Sequence, residues 1–233
     1  MGNQAASEKA QDYDDTWLVV PLYNEGPVIA EVIKEARESF RNIVCVDDGS
    51  SDSSADLAEA AGATVLRHAF NLGQGAALQT GIEFAASRPG MNYLVTFDAD
   101  GQHQVSDAMA MVDQARNEDL AVIFGTRFLG DSSPVGWSKR AVLKTAAAVT
   151  RFKTGLELTD AHNGLRLLRK DAADQIQLRQ NRMAHASEIV HQLAQTGLPW
   201  VERPVTIDYT EYSKAKGQSL LNSVNILVDL VMG

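Results

Sequence analysis

Five short apolar runs alternate with amphipathic segments over the first 126 residues, and this alternation constrains the fold more than any other feature. Trp17 to Leu22, Ile43 to Val46, Thr64 to Leu66, Tyr93 to Phe97 and Val122 to Gly125 read as strands. Val28 to Phe40, Asp52 to Ala61, Gly75 to Ser87 and Val105 to Asn117 read as helices between them. The strand runs are nearly continuous in apolar residues rather than alternating. Such strands belong to a mostly parallel sheet covered on both faces, an α/β architecture. Ligands of such sheets bind beyond the carboxyl ends of the strands. Four of those ends carry polar clusters: Tyr23-Asn24-Glu25, Asp47-Asp48-Gly49-Ser50, Asp98-Ala99-Asp100 and Thr126-Arg127.

Asp98 and Asp100 carry the strongest chemical signal. Two like charges one residue apart are costly unless a cation lies between them. A hard divalent cation, Mg²⁺ or Mn²⁺, bound through oxygen together with substrate phosphates, answers that cost. Gln102 and His103 extend the same shell; an ordinary acidic loop is the competing reading. Pro21 ends the first strand, and Tyr23 offers a face for stacking on a base. Asp52 or Ser51 caps the next helix, which leaves Asp47 and Asp48 without a structural duty and one of them open to a base N–H. Asn71-Leu72-Gly73-Gln74-Gly75 reads either as a helix start open to phosphate or as a plain glycine turn. It is not a G-x-G-x-x-G fingerprint, because Leu78 stands at the third glycine. In Asp160-Ala161-His162-Asn163-Gly164-Leu165-Arg166, Asp160 suits a general base and Arg166 an anion. Lys214 to Ser219 is a basic loop, suited to clamping phosphate or simply solvated.

The charge distribution supports anionic ligands. The net charge is −9, which argues against general nucleic-acid binding. Through residue 120 there are 7 basic residues against 20 acidic; beyond it, 14 against 10. The metal-binding features thus fall in an acidic half, and the basic half faces a second anion or a membrane surface. Cys45 is the single cysteine and lies in an apolar run, so it reads as core in a reducing compartment. No apolar stretch approaches 18 residues, and no secretory leader is evident. Residues 1–15 read as a disordered tail. Gly164 to Leu168, Ala184 to Thr196 and Val201 to Tyr209 read as strand, helix and strand. Lys139 to Lys153 is a basic amphipathic helix, lying either on an anionic membrane or on the domain surface. Residues 219–233 read as a terminal amphipathic helix.

In this order, Pro-Leu-Tyr-Asn-Glu, Val-Asp-Asp-Gly-Ser, Asn-Leu-Gly-Gln-Gly, Asp-Ala-Asp-Gly-Gln-His and Asn-Gly-Leu-Arg resemble the inverting family 2 glycosyltransferases of the GT-A fold. The nearest likeness is to the dolichyl- and polyprenyl-phosphate sugar synthases. The resemblance implies a Rossmann-like GT-A domain over residues 16–218 with a C-terminal acceptor-side extension. It implies donor contacts at Pro21, Tyr23, Glu25, Asp48, Gln74 and Asp98, and a metal and diphosphate site at Asp98, Asp100 and Gln102. Arg127, Arg166, Lys214 and Ser219 match positions near donor or acceptor phosphates. Lys214 stands where the family has Arg, and Gln74 where it usually has Lys. Asp160 and Asp100 are the candidate catalytic residues, Asp160 as a base or as an orienting group. The implied reaction moves a hexose from a UDP- or GDP-sugar to polyprenyl phosphate at the cytoplasmic face of the membrane, with a small membrane-protein partner. Transfer to a sugar hydroxyl is the alternative enzyme reading, and a nucleotide-sugar-binding module without turnover is the non-enzymatic one.

Overall fold

The computed structural model describes residues 13–129, 156, 158–182, 184–208 and 212. The expected helices Lys139 to Lys153 and 219–233, with Lys214 and Ser219, lie outside the described residues. The chain runs β1 (Thr16–Leu22), α1 (Ile29–Arg37), β2 (Asn42–Asp47), α2 (Ser54–Ala60), β3 (Thr64–Arg67), α3 (Gln74–Ala86), β4 (Tyr93–Thr96), α4 (Val105–Glu118) and β5 (Val122–Thr126). It continues through β6 (Arg166–Arg169), α5 (Lys170–Ala173), α6 (His185–Gln195) and β7 (Trp200–Pro204).

The strands form one seven-stranded sheet in the order β3-β2-β1-β4-β6-β5-β7. All pairings are parallel except those of β6, which runs antiparallel to both β4 and β5. Neighbouring strand residues feed opposite cores, because side chains alternate across a pleat. Leu18, Val20, Leu22, Cys45, Val95, Ile123 and Leu167 pack with α1, α2 and α4 on one face. Val19, Val44, Val46, Leu94, Val122, Phe124 and Leu168 pack with α3, α5 and α6 on the other. The sheet is therefore buried on both sides, which is why its strands read as continuous apolar runs.

Several boundaries differ from expectation. The β6 strand begins at Arg166, two residues after Gly164. Its predecessor residues turn back against Asp98 rather than extending. The last strand ends at Pro204, in register with Thr126 where its partner β5 ends; beyond it the chain leaves β5 and pairs with the turn after β4, through an isolated bridge from Ile207 to His103. Tyr13 to Asp15, inside the expected tail, are packed. The Tyr13 ring is buried 5.1 Å from Phe40, and its hydroxyl donates to the Asp113 carboxylate at 3.1 Å. No helix among the described residues is long and apolar enough to cross a membrane.

Candidate active site

The loops after β1 and β2 are stitched together. Asn24 N–H donates to Ser50 Oγ (2.9 Å), Glu25 N–H to Ser54 Oγ (2.7 Å) and Gly26 N–H to Asp52 Oδ2 (3.0 Å). Asn24 has φ +53°, a left-handed conformation that asparagine tolerates. The Asp52 carboxylate also accepts from Ser54 N–H at 2.9 Å, but the N-cap of α2 is Ser53, not the expected Asp52 or Ser51. Pro21 pairs with Val46 across β1 and β2, and Tyr23 stands 46% exposed at the rim.

Asp48 is not spare. Its carboxylate accepts from Leu72 N–H (2.9 Å) and Gly73 N–H (2.7 Å) and pairs with His68 Nδ1 (2.8 Å). It locks the loop after β3, and only tertiary folding brings that loop against it. Asp48 thus has an anchoring duty that its own stretch of sequence does not show, with Oδ2 accepting a single hydrogen bond. Asp47 has one oxygen, Oδ1, buried without a hydrogen-bond partner.

The glycine turn is a close-packing device rather than an open phosphate cradle. The backbone of Asn181 and Gln180 lies where a Cβ on Gly73 or Gly75 would sit, and Gly75 N–H donates to Asn181 O at 2.9 Å. The amides that a phosphate would need are already committed to Asp48 and Asn181. Gln74 itself is exposed at the first position of α3.

Asp98 and Asp100 lie past the end of β4, in the turn that follows it. Gly101 makes that turn at φ +75°, and Asp100 Oδ1 accepts from Gln102 N–H at 3.1 Å. Asp98 pairs with His103 Nε2 at 2.9 Å, and its side chain remains 34% exposed. Burial pushes the Asp98 carboxyl upward, but the neighbouring His103, Arg166 and His185 outweigh it and hold it below the ordinary range. The Asp100 carboxyl is pushed up to about 6, by burial first and by the Asp98 charge second. Gly164 backs directly onto the Asp98 carboxylate, with no room for a side chain.

On the far wall, Asp160 is buried and clasped by Arg127, whose Nε and Nη2 donate to its two oxygens at 2.6 and 2.7 Å. Arg127 N–H donates to the same carboxylate at 3.1 Å. Glu202 on β7, which sequence reasoning missed, fixes this turn from behind. Its Oε1 accepts from Thr159 N–H (2.7 Å), Thr159 Oγ (3.0 Å) and Asp160 N–H (3.2 Å). No sequence signal set it apart, because β7 carries Glu202 and Arg203 side by side and neither is fully buried. Arg166 is buried between the charges of Asp98 and Asp160, and burial lowers its guanidinium to about 10. Among the described residues its side chain makes one hydrogen bond, to Ala161 O at 3.2 Å. His162 beside it is pushed down to about 4, by burial first and by Arg166 second, and is neutral at pH 7.

Gln102 Nε2, His103 Nδ1 and Asn163 Nδ2 are also buried without partners. Such atoms carry an unrecovered desolvation cost, and these three sit on the two loops flanking Asp98. Among the described residues no three His, Cys, Asp or Glu side chains converge as a ready metal cluster. A pair of carboxylates awaiting substrate oxygens fits Mg²⁺ or Mn²⁺, which keep few protein ligands and share phosphates. The structure therefore brings together Asp98, Asp100, Gln102, Arg127, Asp160 and Arg166, with Glu25 near Asp100.

The family model for glycosyl transferase family 2 matches residues 17–177. A UDP-N-acetylglucosamine–dolichyl-phosphate N-acetylglucosaminyltransferase of Methanococcus voltae is 29% identical over 241 residues, covering 93% of this chain and 94% of that protein. An undecaprenyl-phosphate mannosyltransferase of Micrococcus luteus is 27% identical over 210 residues, 85% of each chain. Among solved structures, glucosyl-3-phosphoglycerate synthase of Mycobacterium tuberculosis, in complex with Mn²⁺, UDP and phosphoglyceric acid, superposes with a TM-score of 0.65. That match has 16% identity and covers 96% of this chain and 80% of that one. With sheet order, rim chemistry and relatives in agreement, the chain belongs to glycosyltransferase family 2 and has the GT-A fold.

Proposed function

We propose that the protein transfers a hexose from a nucleotide-sugar to polyprenyl phosphate, inverting the anomeric carbon, at the cytoplasmic face of a membrane. The carrying observation is the cationic wall of Arg127 and Arg166 next to the paired carboxylates of Asp98 and Asp100. One side suits a metal-bridged diphosphate, the other a second anion. Asp98 and Asp100 would hold Mg²⁺ or Mn²⁺, with Gln102 on the same turn. Bound there, the cation supplies neutralisation of the charge that develops on the departing nucleoside diphosphate.

In the displacement, an acceptor phosphate oxygen forms the new bond to the anomeric carbon as the bond to the diphosphate oxygen breaks. The carbon passes through an oxocarbenium-like state, as in glycoside hydrolysis. A phosphate acceptor arrives already anionic and needs no general base, whereas a sugar hydroxyl does. Both Asp160 oxygens accept from Arg127, and a carboxylate committed to a bidentate guanidinium is a poor proton acceptor. Asp160 therefore orients Arg127, which favours the phosphate acceptor over the hydroxyl. A small membrane-protein partner that presents the lipid completes this reading.

The test supplies UDP- and GDP-hexoses with a short-chain polyprenyl phosphate, in Mn²⁺ and then in EDTA. Nucleoside diphosphate release matched by sugar in the organic phase, both abolished by EDTA, is the expected result. Release that depends on a sugar hydroxyl acceptor and ignores polyprenyl phosphate overturns the acceptor. No metal-dependent binding of any nucleotide-sugar overturns the donor reading.

A further inference from the structure

The chain beyond β7 lies outside residues 17–177, yet it completes the rim of the site. Val205 N–H donates to Thr126 O (2.9 Å) at the end of β5, and Thr206 N–H to Asp107 Oδ2 (2.7 Å) at the start of α4. Ile207 bridges to His103, and Asp208 N–H donates to Gln102 O at 2.9 Å. Gln104 Nε2 donates back to the Asp208 carboxylate. Tyr212 then reaches the loop after β1, where its hydroxyl donates to Glu25 Oε2 at 2.9 Å and lies 3.4 Å from Asn24 O. These contacts move from the β5 end across the turn carrying Asp100 to Glu25, in the direction in which the sheet runs from β5 through β4 to β1.

We propose that Tyr212 is a positioning residue for donor binding, acting through Glu25; the role rests on the donor reading above. The backbone of Glu25 is held by Ser54 Oγ, and its side chain carries three rotatable torsions whose setting places the carboxylate. The Asp100 charge repels it across the rim. A tyrosine has only two torsions and a half-buried ring, so it is a stiff donor. It fixes one Glu25 rotamer before the nucleotide arrives, and pre-paid ordering improves affinity.

The experiment uses the full chain and its Tyr212→Phe, Glu25→Ala and doubly substituted variants. Affinity for UDP and GDP is measured calorimetrically with Mn²⁺, alongside donor KM and kcat and amide hydrogen exchange over residues 23–26. Tyr212→Phe should weaken nucleotide binding and raise donor KM about tenfold, as loss of a hydrogen bond to a charged group does, with kcat within about twofold. It should add nothing in the Glu25→Ala background, and exchange over residues 23–26 in ligand-free protein should quicken. Wild-type-like binding by Tyr212→Phe, a gain in affinity, or full additivity with Glu25→Ala overturns the role of Tyr212 alone. Failure of the wild-type chain to bind either nucleotide overturns the donor reading and this role with it.

Discussion

Replacing Gly164 by alanine perturbs the Asp98 carboxylate, proposed above to hold the metal, without touching it chemically. A Cβ at residue 164 would lie 2.8 Å from Asp98 Oδ1 and 2.9 Å from Asp98 Cγ, closer than real Cβ atoms come. The glycine does not use a left-handed φ, so the backbone tolerates alanine and the conflict falls on Asp98. The carboxylate has to leave its present rotamer, at about 0.5–1.5 kcal/mol. Moving it also breaks the pairing with His103, a bond to a charged group worth about 1.5–3 kcal/mol. The sum, about 2–4.5 kcal/mol, corresponds to roughly 30- to 2,000-fold in Mn²⁺-dependent nucleotide affinity. Part of the strain will instead appear as overpacking, a loss of about 2–4 °C in Tm per kcal/mol for a chain of this size. Calorimetric titration of UDP and GDP with Mn²⁺, set beside a thermal melt, separates the two. An alanine variant that binds nucleotide within threefold of wild type would refute the reasoning, because Asp98 would then be free to yield at no cost.

Asp160→Asn should lower transfer to polyprenyl phosphate only about tenfold, since an amide oxygen in the Oδ2 place still accepts from Arg127 N–H and Nε and only the Nη2 bond is lost; near-complete loss with that acceptor would restore Asp160 as a base. Asp100, raised to about 6 without metal, is protonated below that pH and must shed its proton to take a cation. Mn²⁺-dependent nucleotide binding should therefore weaken as pH falls through 6, and a flat profile from pH 7 to 5 would remove Asp100 from the metal site. The Cys45 thiol is pushed up to about 12, by burial first and by Asp47 second. It should resist Ellman's reagent at pH 8 in the folded protein and react only as fast as the chain unfolds. An unfolded thiol ionises near 9 while the folded one stays neutral, so stability should fall by about 1.4 kcal/mol per pH unit between 9 and 12. Denaturant melts of wild type and Cys45→Ala across that range check the slope.

The parallel core of the sheet was legible because burial on both faces leaves a local trace. Val44, Cys45 and Val46 go alternately to two cores, so all three must be apolar. The rim residues were legible for a similar reason: polar clusters at Glu25, Asp48, Asp98 and Arg127 interrupt apolar strands. Their partners were not. Asp48 anchors Leu72 and Gly73 from 24 and 25 residues away, and Glu202 holds Thr159 from 43 away. Long-range hydrogen bonds leave no periodicity in the chain. Gly73 and Gly75 announced a close approach, but whether phosphate or protein backbone makes it depended on where residues 180–181 fold.

Local sequence thus determined which polar residues stand at the strand ends, because strand periodicity and the Asp98-Ala99-Asp100 pair are properties of neighbouring side chains. Only the tertiary structure decided what each is free to do. It gave Asp48 a distant loop to anchor and tied Asp160 to Arg127. It also drew Tyr212 across the rim to Glu25. A carboxylate's role follows from the donors and charges that surround it, and those arrive from distant parts of the chain only when the sheet has assembled.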